Sequence, residues 1–359
     1  MKRENNLDFL RVIACVMVIS IHVSCIYVNK YAEIPNFKFT VGNFYDSFTR
    51  LAVPIFVLLS GRFALSDERN AETKYYYKKF FSRIIVPTVV WSFLYFMYSY
   101  SLKIMSYLFY GELKNIFSPI KAWIIGAPYY HLWYLYMSIG LYLSVPYLLK
   151  LKKKIGEENF FKTGIIFFIL GLFIFLFEKF LNYINFYNRD DIFKYLKYFW
   201  CFNQLKFISY MGYFILGYSL KNKNINFKKM IFSTITFLTF MFLTVEILVR
   251  KEMLCNPDNI YSNNFIFTMG GAVSIYLAFN NLKSENIKFD FSNLAFHSFN
   301  IYLVHAGILS VITIFLDKIL NYEPNPIWYI PFMICFIFVI SYIFSIILEN
   351  IKKRFIKNN

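Results

Sequence analysis

Runs of roughly 20 mostly apolar residues recur along this chain, and each is about long enough to cross the hydrocarbon core of a bilayer as a helix. They predict ten spans, at roughly residues 7–27, 44–65, 84–102, 131–150, 162–181, 205–220, 230–249, 264–280, 295–316 and 328–348. Between the third and fourth lies SLKIMSYLFYGELKNIFSPIKAWIIGAPYY, too interrupted by Gly, Pro and Lys to span; it reads as interfacial or re-entrant. The expected fold is an all-α polytopic membrane bundle of about ten transmembrane helices. No solenoid repeat and no linker divides the sequence, so residues 1–359 read as a single transmembrane domain. About ten residues follow the last run, and no appended soluble domain is expected.

Basic residues alternate in density from loop to loop. MKR at the start, KYYYKKFFSR from Lys74, KLKKK from Lys150, KNKNINFKK from Lys221, Lys283 and Lys288, and the tail KKRFIK fall on one side. Lys30, Lys38, Arg250 and Lys251 fall on the sparser side. Positive-inside bias then puts both termini in the cytoplasm of a multi-pass protein of the cell (plasma) membrane, in contact with the lipid bilayer. Composition agrees: 58% of residues are hydrophobic and 22% aromatic, with a mean hydropathy of +0.46. The net charge of +17 is explained by this placement and calls for no nucleic acid. Lys2 and Arg3 precede an apolar run as in a signal peptide, but that run is too long, contains Arg11 and lacks a small-residue cleavage site. The five cysteines are scattered without C-x-x-C spacing, which indicates neither a disulfide framework nor a zinc site, and no metal is expected.

Charge inside the runs is costly, so the ionisable residues of the first two carry the chemistry worth weighing. Arg11 and His22 are eleven positions apart, about three helical turns plus roughly 20°, which puts them on one face roughly 16 Å apart. Asp8, three residues before Arg11, falls near that face and is placed to pair with it. Singly, Arg11 reads as a snorkelling side chain and His22 as an interfacial one. Together they favour a polar track through the protein interior. In the second run Arg50 comes at nearly the depth of His22, and Pro54 should loosen the helix. Ser60 and Gly61 lie close to the depth of Arg11, where Gly61 also suits close helix packing. His131 starts the fourth run beside Trp133 and Tyr134, either in an aromatic belt or lining an acceptor cleft with Trp123, Tyr129 and Tyr130. His305 falls mid-membrane in the ninth run with Tyr302 a turn earlier, and must be paired or face a cavity. His297, at the start of that run, reads as an ordinary interfacial residue.

These residues carry a family resemblance. LDFLRVIACVMVISIH, with its R-x10-H spacing, resembles the first-helix signature of the acyltransferase-3 family of integral membrane acyltransferases. RLAVPIFVLLSG resembles the family's second-helix signature, HLWYLYMSIGLYL its H-L-W segment and FNIYLVHAGI its Y-L-x-H segment. Four motifs in order cover nearly the whole chain and are closest to surface-polysaccharide O-acetyltransferases. One departure is that R-x-x-R before the third span is here KKFFSRIIVP, with Lys78, Lys79 and Arg83 but Phe80 where the first arginine falls. The resemblance implies acetyl-CoA as acyl donor on the cytoplasmic side, no tightly bound cofactor, and a glycan or lipid-linked sugar acceptor on the other. Arg11, Ser60, Gly61 and Arg83 are then the donor-side candidates. His22 is the candidate base, with Arg50 and His131 helping to stabilise charge; an acetyl-histidine intermediate is the alternative route. Tyr302 and His305 are further candidates. A rival of another class, a transporter or flippase of lipid-linked saccharides, calls for polar residues spread over several spans and for internal repeats, whereas here they concentrate in the first two.

Overall fold

In a bilayer a backbone amide finds no water, so an apolar run satisfies its own hydrogen bonds as helix. The computed structural model describes residues 4–110, 117–126, 128–188, 206–251, 257, 260–316 and 322–357, and among these there is no strand. The helices are α1 (Asn5–Tyr31), α2 (Phe37–Thr49), α3 (Ala52–Ser66), α4 (Thr73–Phe80), α5 (Val86–Tyr110), α6 (Ser118–Ile124) and α7 (Trp133–Leu143). They continue as α8 (Val145–Asn188), α9 (Phe207–Ser219), α10 (Phe227–Arg250), α11 (Ile266–Asn281), α12 (Ser292–Ile314) and α13 (Pro326–Lys357). Among the described residues seven helical stretches are long and apolar enough to cross a membrane. The other three expected spans coincide with α7, α9 and α11, which have 11, 13 and 16 residues. The interrupted stretch after α5 contains α6, whose Trp123 packs on Phe96 at 4.8 Å between ring centres.

Three breaks follow from single residues. Pro54 has no N–H for the Arg50 carbonyl and its ring crowds that oxygen; accordingly α2 ends at Thr49, α3 begins at Ala52, and Arg50 sits at the interruption. Pro87 has the same effect on Arg83, and the chain widens into a π turn over Phe81–Ile85. Within α8, Gly156 adopts φ 79°, ψ 165°, a region open essentially only to glycine, and bends the helix after the basic KLKKK segment.

The chain forms two compact units, Met1–Leu59 with Asn222–Asn359, and Ser60–Lys221. In the first, α1 packs against α2, α11, α12 and α13. Its Cys15, Ile19, Val23 and Tyr27, a stripe at four-residue spacing, meet Ile301 and Leu309 of α12 and Ile330, Met333 and Ile337 of α13. Val28 and Phe39 join Met241, Val245 and Val249 of α10 in a second cluster. At the start of α1 the Asn6 amide donates to the Phe279 carbonyl at 2.8 Å.

At the far end of α1, Glu323 accepts from Tyr31 Oη at 2.6 Å and from Lys30 Nζ at 2.9 Å, with Lys38 Nζ at 3.4 Å. Burial disfavours the charged carboxylate, but the hydrogen bonds from Tyr31 and Lys30 and the charges of Lys30 and Lys38 outweigh it and hold Glu323 below the usual carboxylate range. A carboxyl held lower in the folded chain stabilises the fold above its unfolded value, about 4.3 for Glu, and that contribution is lost as pH falls through the lower folded value. Glu323→Gln should therefore lower the melting temperature in detergent at pH 7 and flatten its decline below about pH 4. The pair is partly solvated, so the effect is less than about 1 kcal/mol. An unchanged acid profile in that variant would show that Glu323 does not contribute.

The second unit closes around small residues. A Cβ at Gly61 of α3 would lie 1.7 Å from the Phe214 carbonyl oxygen of α9, and one at Gly212 of α9 would lie 2.3 Å from the Phe168 nitrogen of α8. Backbones approach this closely only where no side chain intervenes, the usual device where lipid removes any hydrophobic drive between helices.

Candidate functional site

His22 projects from the continuous helix α1, and its ring stacks on that of His305 from α12, with centroids 5.3 Å apart and planes at 26°. His305 is fully buried, and its Nδ1 bonds the Tyr302 carbonyl. A carbonyl only accepts, so Nδ1 carries the proton and Nε2 is the basic nitrogen of the neutral ring. The Tyr302 ring lies 5.8 Å from the His305 ring. Arg50 and His305 both lie within electrostatic reach of His22.

Arg50 is held from two sides. Its Nε is 2.7 Å from Asp46 Oδ1, and its Nη2 donates to Asp46 Oδ2 at 2.7 Å. On the other side its guanidinium lies 4.1 Å from the centre of the Tyr261 ring, with Nη1 donating to the Tyr261 carbonyl at 3.4 Å. Tyr261 Oη donates to Asn43 Oδ1 at 2.6 Å, and Asn43 Nδ2 donates to Glu246 Oε2 of α10 at 2.8 Å. Glu246 Oε1 in turn accepts from Thr40 Oγ1 at 2.7 Å and from Arg250 Nε at 2.7 Å. Residues 40, 43, 46, 47 and 50 recur at three- and four-residue steps, so α2 carries a polar face ending at Arg50. Asn43, Asp46 and Ser47 are 0% exposed, and buried groups of this kind hold only as a connected set.

An all-helical chain crossing the membrane with paired imidazoles and a buried, clamped guanidinium narrows the field, and comparison with known families decides it. The model of the acyltransferase-3 family, described as an acyltransferase domain, matches residues 4–346. The chain belongs to the acyltransferase-3 family. An amino-acid racemase of Enterococcus faecalis is 29% identical to this acyltransferase over 171 residues, which is 47% of this chain and 21% of the racemase. The chain thus spans about a fifth of that protein's length. No solved structure matches.

In this membrane acyltransferase the structure brings together four of the residues expected from sequence, His22, Arg50, Tyr302 and His305, all in the first unit. Arg11 is half-buried on the same helix, three turns before His22. His131, Ser60, Gly61 and Arg83 belong to the second unit. There His131 is buried, with the rings of Tyr95 at 4.8 Å, Tyr130 at 5.6 Å and Tyr129 at 5.7 Å set edge-on around it. Ser60 is half-buried, Gly61 is filled by backbone, and Arg83 is exposed on its π turn. His297, expected at the interface, is buried with its Nδ1 2.7 Å from Ser345 Oγ. Sequence reasoning did not anticipate Asp46 or Tyr261. Asp46 was within reach of it, four residues before Arg50; Tyr261, 211 residues on in the chain, leaves no local signal.

Proposed function

We propose that this acyltransferase moves an acetyl group from cytosolic acetyl-CoA to a hydroxyl of an extracytoplasmic or lipid-linked glycan at the plasma membrane. What carries the reading is the stack of His22 on His305 together with the anchored Arg50, a base and a directed cation inside a protein whose family transfers acyl groups.

The step runs as follows. His22 takes the proton of the acceptor hydroxyl as that oxygen attacks the thioester carbonyl carbon, and Arg50 faces the negative charge that develops on the carbonyl oxygen. The carbon–sulfur bond then breaks, and the coenzyme A thiolate takes the proton back from His22. The products are an acetyl ester and free coenzyme A. Excluding water matters equally, since a wet site would hydrolyse the thioester, and His305 and the polar face of α2 are buried. Arg11, half-buried three turns away, is assigned to the donor's phosphates.

Inside-out vesicles given radiolabelled acetyl-CoA test the reading. Label should appear on glycan and leave as acetate in mild base. Label retained on the protein after rapid denaturation near neutral pH, and released by hydroxylamine, would mark the acetyl-histidine route instead. Saccharide movement across the membrane without acetyl-CoA, and no labelled glycan, would overturn the proposal in favour of transport. In the same assay Arg11→Ala should raise KM for acetyl-CoA roughly tenfold or more, the worth of one charge-assisted contact, with kcat little changed. An unaltered KM would remove Arg11 from donor binding.

A further inference from the structure

We propose that Asp46 is a positioning residue for acyl transfer and that, with Tyr261, it clamps the Arg50 guanidinium beside His22. The inference rests on the role given above to His22 and Arg50.

Arg50 stands at the interruption that Pro54 imposes between α2 and α3, so regular helix on both sides does not by itself aim its long side chain. Left alone, an arginine at such a joint samples several rotamers, and a donor that must meet a developing charge loses its effect when displaced by an ångström. Asp46 removes that freedom by engaging two guanidinium nitrogens at 2.7 Å. Tyr261 closes the other side with its ring face at 4.1 Å and its carbonyl at 3.4 Å. The second jaw is itself fixed, since Tyr261 is tied to Asn43 and Asn43 to Glu246 of α10.

Stability alone is a poor reason for this arrangement. A fully buried carboxylate loses its hydration, and a buried ion pair is commonly no more stable than apolar groups of the same volume. Orientation is the gain that remains. With Asp46 balancing its charge locally, Arg50 works as a donor aimed in one direction rather than as a loose cation.

The test is steady-state acetyl transfer in vesicles, with abundance and monodispersity in detergent measured alongside. Asp46→Asn keeps the size of the side chain and loses its charge. It should lower kcat roughly 10- to 100-fold while leaving KM for acetyl-CoA unchanged. Asp46→Glu, which restores the charge at a shifted position, should recover part of the loss. In an Arg50→Gln background Asp46→Asn should cost nothing further, because its effect passes through Arg50. Tyr261→Leu should lower kcat in the same sense and supplies the reading if Asp46→Asn does not accumulate. Full kcat in both Asp46→Asn and Tyr261→Leu would overturn the clamp, as would an equal loss from Asp46→Asn with Arg50 already replaced. Normal transfer by Arg50→Gln, with transfer lost in His22→Ala, would overturn the clamp and leave the proposed function standing.

Discussion

His22→Ala should lower acetyl transfer roughly 10²- to 10⁴-fold, to background, while the protein still inserts and accumulates. The size of the effect follows from what is removed. A hydroxyl near neutral pH is a poor nucleophile until its proton has somewhere to go, and His22 is the imidazole stacked on His305 within reach of the Arg50 charge. His305 lies behind it and is fully buried, so it does not simply substitute. The cost to the fold is modest, because His22 is only half-buried and the Cys15–Ile19–Val23–Tyr27 stripe that holds α1 stays intact. His22→Gln separates the proton from the shape: it keeps polarity and similar bulk but takes no proton at working pH, and should be as inactive as the alanine variant. The measurement is labelled acetate on glycan, normalised to protein in the membrane. Normal transfer by His22→Ala would remove this histidine from the mechanism.

Gly61→Val should abolish accumulation of the folded protein. A Cβ at that position falls 1.7 Å from the Phe214 carbonyl oxygen, 2.6 Å from its carbonyl carbon and 2.9 Å from its Cα. All three are backbone atoms of α9, so no side chain swings aside, and α3 and α9 must part. Ordinary overpacking costs about 1–3 kcal/mol, and a collision with backbone lies beyond that. Against a total stability of about 5–15 kcal/mol, little remains. Size-exclusion profiles and melting curves in detergent read the effect, with Gly61→Ala impaired in the same direction. A folded, monodisperse Gly61→Ala protein with a raised KM for acetyl-CoA would instead give Gly61 to the donor, the role its place in the second-helix motif suggested.

Much of this protein was legible from its residues taken in order. Lipid leaves an apolar run no choice but helix, so the runs located the helices; Pro54 located one break, because a missing N–H acts on the backbone where it stands, whereas the positive φ at Gly156 is seen only in the structure. The R-x10-H spacing placed Arg11 and His22 on one face because α1 is unbroken between them. Gly61 was read both as a packing residue and as a donor contact, and only the approach of α9 shows how little room lies beside it.

By itself, then, the sequence determined the helical class, the family motifs and the axial spacing of the first helix's charges, all consequences of local periodicity and of the solvent around the backbone. Tertiary structure alone decided that His305 stacks on His22 and that Tyr261 and Glu246 complete the hold on Arg50. Those partners lie hundreds of residues apart in the chain, and their meeting depends on which helix faces pack together, which helical period along any one segment does not specify.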